Sequence, residues 1–308
     1  MCNPRERDAR DSEQTKGRAT LPRSGAGDVD EVIADDGTRI AYDVWGRREG
    51  EPLLLLQGLG ADSRGWALQR MALGRRFRCY GVDNRGVGQS ERPPGPYDLE
   101  VMALDAVAVM DAEQLDRVHV MGASMGGVLA QIIAVRRPDR LRSLVLACTA
   151  CRHHDWRREL FAEWAEAVAA GGMSALADDA LRWLIGPRLR RRFGVWLNLL
   201  ARIVLQSPPE PFVAQIEAIL ATPDDLRFAL ADVEVPTLVI TGSQDLLTPI
   251  GDAEELAEMI PAARLYELRG AAHGLMVEAP NAFNRAILAF FDEISEPADV
   301  DRRPSNTP

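Results

Sequence analysis

Short apolar runs alternate with helix-length amphipathic stretches through most of the chain, and the spacing of the two sets the expected architecture. Asp30 to Ala34 and Thr38 to Trp45 flank Asp35, Asp36 and Gly37, which reads as two strands around an Asp-Gly turn and an antiparallel start to a sheet. Pro52 to Leu56 is wholly apolar, as a strand covered on both faces must be. An amphipathic segment from Trp66 to about Leu73 leads to a strand over Arg78 to Val82. A helix follows from about Leu99 to Gln114, with apolar positions at Met102, Leu104, Val107, Val109 and Met110. Val118 to Met121 is a further strand, and Gly127 to Ile132 continues as a helix before another strand at Leu141 to Leu146.

The pattern then changes. From about Arg152 to Leu230 the periodicity is helical throughout, broken by Gly171, Gly172, Gly186, Pro187, Pro208, Pro209, Pro211 and Pro223. Strand and helix return at Thr237 to Thr241, Ile250 to Met259, Ala263 to Leu268 and Ala279 to Ile294. The expected fold class is α/β, a mostly parallel eight-stranded sheet with an inserted helical lid. The core covers residues 29–151 and 231–295 and the lid residues 152–230. Residues 1–28 and 296–308 are polar and aperiodic and are expected to be disordered tails.

Composition narrows the function. The chain has 308 residues and a net charge of -10, a balance that argues against nucleic acid as a partner because a phosphate-binding surface needs a basic excess. Lys16 is the only lysine, so 35 of the 36 basic residues are arginine, a bias that fits a GC-rich bacterial genome. Cys2, Cys79, Cys148 and Cys151 do not make a disulfide framework in a chain this long. No apolar stretch reaches the roughly 18 residues of a membrane span, and the charged N-terminus has no signal core. The expected location is the cytoplasm, and the expected partner a small molecule; the sequence does not give the oligomeric state.

The chemistry centres on Gly122, Ala123, Ser124, Met125 and Gly126, where a strand turns sharply into a helix. Small residues flank the serine because the turn strains its backbone and leaves no room for neighbouring side chains. A serine hydroxyl needs a base, and the base a third group to orient it. Of four histidines, His119 lies inside a strand, His153 and His154 open the helical region, and His273 lies in a small-residue loop after the last strand. Asp245 follows the strand Thr237 to Thr241, in a loop closed by Pro249. Loops after parallel strands gather at one sheet edge, so Ser124, Asp245 and His273 are expected to meet there. The amides of Leu59, in the Gly58-Leu59-Gly60 turn, and of Met125 are the expected donors to an oxyanion. Asp252 and Asp155 are alternative carboxylates.

With these residues in place, the chain resembles the α/β-hydrolase fold superfamily over roughly residues 29 to 295, in its serine esterase and lactonase branch. It is similar to enol-lactonase-like and cofactor-free haloperoxidase-like hydrolases. The order Ser124, Asp245, His273 is that family's order. Asp83 to Ser90 resembles the loop after its fourth strand, and Gly-x-x-Asp245 and Gly-x-x-His273 resemble its acid and base loops. Gln57 departs from it, standing where many relatives carry histidine. The resemblance implies hydrolysis of a carboxylic ester or lactone with an apolar part, through an acyl-enzyme on Ser124, with no cofactor and no metal.

Other readings stay open. Perhydrolysis, carbon–carbon bond hydrolysis and acyl transfer share the same serine, and a non-catalytic ligand-binding protein could use the same fold. Cys148, Cys151, His153 and His154 admit a metal reading but lack a second spaced pair. Arg188, Arg190, Arg191 and Arg192 could meet an acidic substrate or form the solvated face of a helix that turns Leu189, Phe193 and Trp196 inward. Asp83 and Arg85 are expected to brace loops. Gly58, Gly60, Trp66, Trp156, Trp164, Trp183 and Trp196 are the candidate substrate contacts.

Overall fold

The computed structural model describes residues 29–194 and 208–295. The two expected tails and Trp196 lie outside the described residues.

Eight strands form one sheet in the order β1-β2-β4-β3-β5-β6-β7-β8. They are β1 (Asp30–Ile33), β2 (Arg39–Gly46), β3 (Glu51–Leu56), β4 (Phe77–Val82), β5 (Val118–Ala123), β6 (Leu141–Ala147), β7 (Thr237–Gly242) and β8 (Ala263–Leu268). β2 is antiparallel to both of its neighbours and every other pairing is parallel, so the antiparallel start lies where the Asp-Gly turn predicts it. Gly37 closes that turn at φ 89°, a conformation that suits glycine.

Alternate residues of β3 serve two separate cores. Leu54 and Leu56 pack with helix α2 (Leu99–Ala112) and helix α3 (Met125–Arg136), whereas Leu53 and Leu55 pack with Trp45, Phe77 and the C-terminal helix Pro280–Ser295. A sheet covered on both faces explains why this strand is apolar at every position from Leu53 to Leu56. On the second face Phe283, Ile287, Phe290 and Phe291 are buried at the period of a helix stripe. Each contributes about 1.5–3 kcal/mol by leaving water. Asp98 starts α2 by accepting the amides of Glu100 and Val101.

Elements differ from expectation mainly at their ends. The amphipathic segment after β3 is a short 3-10 turn (Ser63–Trp66) and helix α1 (Arg70–Gly74) instead of one helix, because Asp62 caps the turn and the chain must reach β4 within a few residues. Between β6 and β7 the described residues form helices, chiefly α4 (Asp155–Gly171), α5 (Ala177–Leu184) and α6 (Pro209–Ala221), with no strand among them. Helix α7 (Ile250–Met259) links β7 to β8.

The chain runs from β3 to β4 on one side and then places β5 on the other side of β3. The loops after β3 and β5 therefore leave adjacent strands in opposite directions, which opens a crevice at the carboxyl edge of the sheet. The Gln57–Gly60 turn and Ser124 face each other across it. No helix among the described residues is long and apolar enough to cross a membrane.

Candidate active site

Ser124 joins β5 to α3 with φ 52° and ψ -121°, outside the region that non-glycine residues prefer. The fold leaves no room for relaxation. A Cβ on Gly122 would stand 2.1 Å from the Gly126 carbonyl oxygen, and one on Gly126 would stand 2.3 Å from that of Leu56. Ser124 donates its amide to Ala147 O (2.9 Å), and its carbonyl accepts the Thr149 hydroxyl (2.8 Å), so β6 fixes the turn from the side.

His273 Nε2 lies 3.0 Å from Ser124 Oγ, and His273 Nδ1 lies 2.8 Å from Asp245 Oδ2. Asp245 is held as an acceptor: Oδ1 takes the amides of Leu247 and Thr248 (both 2.9 Å), and Oδ2 takes the Thr248 hydroxyl (2.8 Å). Both Asp245 and His273 are buried. With the carboxylate fixed, the Nδ1–H tautomer is favoured and Nε2 is left free to accept the serine proton. The alternative carboxylates are elsewhere: Asp252 pairs with the buried Arg157, and Asp155 begins α4 with its side chain exposed.

Gly58 brings the turn after β3 against the serine, its α-carbon so close that a Cβ would lie 3.0 Å from Ser124 Cβ. Leu59 follows it on the cavity wall, and Met125 opens α3, where an amide has no carbonyl one turn back to bond. Two features that sequence reasoning passed over hold this turn. Gln215 of α6, fully buried, accepts the Gly60 amide at Oε1 and donates from Nε2 to Arg85 O, both at 2.9 Å. Asn84 Nδ2 donates to Gln57 O (3.1 Å). The signal available for Gln215 was a polar residue directly between the apolar Ala214 and Ile216, on the side of α6 away from the exposed Glu217.

Asp83 and Arg85 brace loops. Asp83 accepts the amides of Ser63 and Gln89 (both 2.8 Å), and Arg85 forms a two-pronged pair with Asp105 and a third bond to Asp36. Asp36 is thereby held down at about 2 by the Arg85 hydrogen bond, against some burial.

A cavity of about 460 Å³ lies over Ser124, with mainly apolar walls. Gly58, Gly60 and Trp164 line it. Among the described residues, the other tryptophans expected at substrate, Trp66, Trp156 and Trp183, are not part of that lining. Trp66 is fully buried in the core under the second sheet face, and Trp156 and Trp183 stack on each other with ring centroids 6.0 Å apart, outside the lining. An amphipathic ring satisfies either environment, so its position in a helix pattern does not reveal which one it meets. Phe193 is exposed beneath the Arg192 guanidinium instead of turning inward, while Arg188, Arg191 and Arg192 face solvent.

The residues of the metal reading separate. Cys148 lines the cavity, its thiol pushed well up by burial; Cys151 is pushed to about 12 for the same reason. His154 instead lies near Asp252 and Glu255, the three offering ligand atoms within 4.8 Å of one another. Both carboxylates already hold the guanidinium groups of Arg157, Arg152 and Arg227, whose charge competes with a cation.

The fold and this arrangement define a hydrolase class, and comparison agrees. The sequence profile of the alpha/beta hydrolase fold matches residues 51–280, and the chain belongs to that family. It is 31% identical over 278 residues to a proposed carbamate hydrolase, RutD, of Azorhizobium caulinodans, covering 90% of this chain and 100% of that protein. It is 28% identical to 3-oxoadipate enol-lactonase 2 of Acinetobacter baylyi, covering 84% and 95%. Among solved structures, the enol-lactonase of Burkholderia xenovorans LB400 superposes with a TM-score of 0.79 at 32% identity, covering 85% of this chain and 99% of that one. A hydrolase of Pseudomonas aeruginosa PA01 gives 0.80 at 34%, covering 87% and 99%. The relatives are hydrolases, and this chain is an enzyme of the same fold.

Proposed function

We propose that the protein is a serine hydrolase that cleaves a carboxylic ester or lactone with an apolar part through an acyl-enzyme on Ser124. The observation that carries this is the line Ser124 Oγ, His273, Asp245, with links of 3.0 and 2.8 Å, at the floor of an apolar cavity. Ser124 Oγ attacks the carbonyl carbon while His273 Nε2 takes its proton, and the amides of Leu59 and Met125 hold the oxyanion. The carbon–alkoxy bond breaks, and His273 returns the proton to the departing oxygen. Water, deprotonated by His273, then adds to the acyl carbon and releases the acid and Ser124.

The helices between β6 and β7 act as a lid, and the reaction takes place in the cytoplasm, where unpaired thiols such as Cys79, Cys148 and Cys151 persist. The likeness to a proposed carbamate hydrolase supports a second reading, cleavage of a carbamate on the same serine. The likeness to enol-lactonases, one of them a solved structure, favours the ester or lactone.

A fluorophosphonate probe with intact-mass detection tests the proposal. One adduct on Ser124, lost together with p-nitrophenyl ester hydrolysis in Ser124→Ala, is expected. A Ser124→Ala protein with full esterase activity refutes it.

A further inference from the structure

We propose, resting on the reading of Ser124 as nucleophile, that the enzyme selects the acyl half of its substrate: a neutral, medium-length acyl chain enters a closed end of the cavity, and the alcohol leaves through an open mouth. The two ends differ in burial. Phe161, Trp164, Met173, Leu176 and Ala180 line the cavity and are all buried, and we take these helix residues as its closed end. At the other end Gly60 is exposed, Ile185 is half-buried and Val277 is 52% exposed.

Chemistry decides which half of the ester points each way. His273 must hand its proton to the departing alkoxy oxygen, so the alcohol lies on the histidine's side of the carbonyl carbon. Gly274, Met276 and Val277 follow His273 directly in the chain and line the cavity, with Val277 exposed at its mouth. Met125 and Val128 of α3, beside the serine, belong instead to the same apolar cluster as the five closed-end residues, whereas Met276 belongs to the other cluster. The acyl chain therefore continues along α3 into the closed end.

The closed end offers no free charge among the described residues. Trp164 turns its indole N–H away to Asp179 (2.7 Å) and leaves ring surface to the cavity. Arg157, the guanidinium on the lining, spends its three nitrogens on Leu247 O, Arg152 O and the Asp252 carboxylate. A substrate carboxylate would thus lose its hydration beside an already neutralised pair. At roughly 30 Å³ per water-sized group the 460 Å³ cavity holds about fifteen heavy atoms in all, enough for an acyl chain of medium length and a small alcohol.

The test uses the full chain with p-nitrophenyl esters from acetate to laurate, and with methyl, butyl and octyl hexanoates. Wild-type kcat/KM is expected to peak at hexanoate or octanoate and to vary little along the alcohol series. Ala180→Phe is expected to move the peak to butyrate and to lower the octanoate-to-acetate ratio about 100-fold. Met173→Ala, which enlarges the same end, is expected to move the peak to decanoate and covers the case in which Ala180→Phe does not fold. A flat acyl profile, or variants that shift the alcohol series instead, overturns the assignment. If Ser124 is labelled while that happens, the serine hydrolase reading survives and only the acyl assignment falls; without labelling at Ser124 the reading itself falls.

Discussion

Gln215→Leu isolates the support of the turn after β3. The substitution keeps the volume of a fully buried side chain but removes the acceptor of the Gly60 amide and the donor to Arg85 O, both at 2.9 Å. Each buried polar group left unpaired costs about 1–3 kcal/mol. If the backbone holds still, the loss of stability is about 2–6 kcal/mol, which for a domain of this size lowers Tm by about 5–20 °C. If the Gly60 turn swings toward another partner, stability recovers but the Leu59 amide one residue away, an oxyanion donor of the proposed mechanism, moves with it. Loss of one oxyanion donor costs about 10²–10³ in kcat. Denaturant unfolding and steady-state hydrolysis of one p-nitrophenyl ester, measured on the same preparation, separate the two responses, and at least one must be large. A Gln215→Leu protein with wild-type midpoint, slope and kcat would refute the argument that this glutamine holds the turn.

Two further predictions concern other connections. Glu278 Oε1 accepts the amides of Ala272 (3.3 Å) and Gly186 (3.1 Å), and burial raises its carboxyl. Glu278→Ala is expected to lower kcat about tenfold with little change in KM, the loss of about 1.4 kcal/mol from the loop that carries His273, while Glu278→Gln, which keeps an acceptor oxygen, restores most of it; equal kcat in both variants and wild type counts against it. His119 is buried in β5 against Phe77 and Phe291, and burial lowers it from 6.5 to about 4. Above pH 6.5 neither state is protonated and nothing is lost. Between pH 6.5 and about 4 the unfolded chain takes up a proton that the folded chain refuses, so stability falls as pH falls, by up to about 3 kcal/mol. Denaturant midpoints across that range should fall less steeply in His119→Gln than in wild type, and parallel curves would remove His119 as the cause.

The parts of the fold that the sequence reveals are those with local causes. β3 is apolar at consecutive positions because both its faces are covered, and the Gly-rich turn around Ser124 follows from backbone packed so closely that a Cβ at Gly122 or Gly126 would overlap a neighbouring carbonyl oxygen. The meeting of Ser124, Asp245 and His273 was legible because three loops after parallel strands must share an edge. Gln215, Thr248, Arg157 and Glu278 were not legible as supports. Gln215, Arg157 and Glu278 act across separations of 90 residues or more, Thr248 reaches His273 across 25, and none sits in a local pattern that announces its partner. The tryptophans were not separable for a different reason: Trp66, Trp156 and Trp164 meet core, partner ring and cavity respectively, and their local sequence is compatible with all three.

The insertion between β6 and β7 touches each loop that bears on Ser124. Gln215 on α6 holds the turn after β3, Arg157 on α4 donates to Leu247 O two residues beyond Asp245, and the Leu184–Gly186 segment after α5 receives the Gly274 amide at Leu184 O (2.7 Å) and gives the Gly186 amide to Glu278. The same helices supply the closed end of the cavity. The cavity wall and the loops around Ser124 therefore rest on one set of helices, through separate bonds. Exchange of this insertion for that of a relative would have to reproduce all three connections before it could transfer a substrate preference. A graft matched only for cavity-lining side chains would lose kcat whatever substrate it fits.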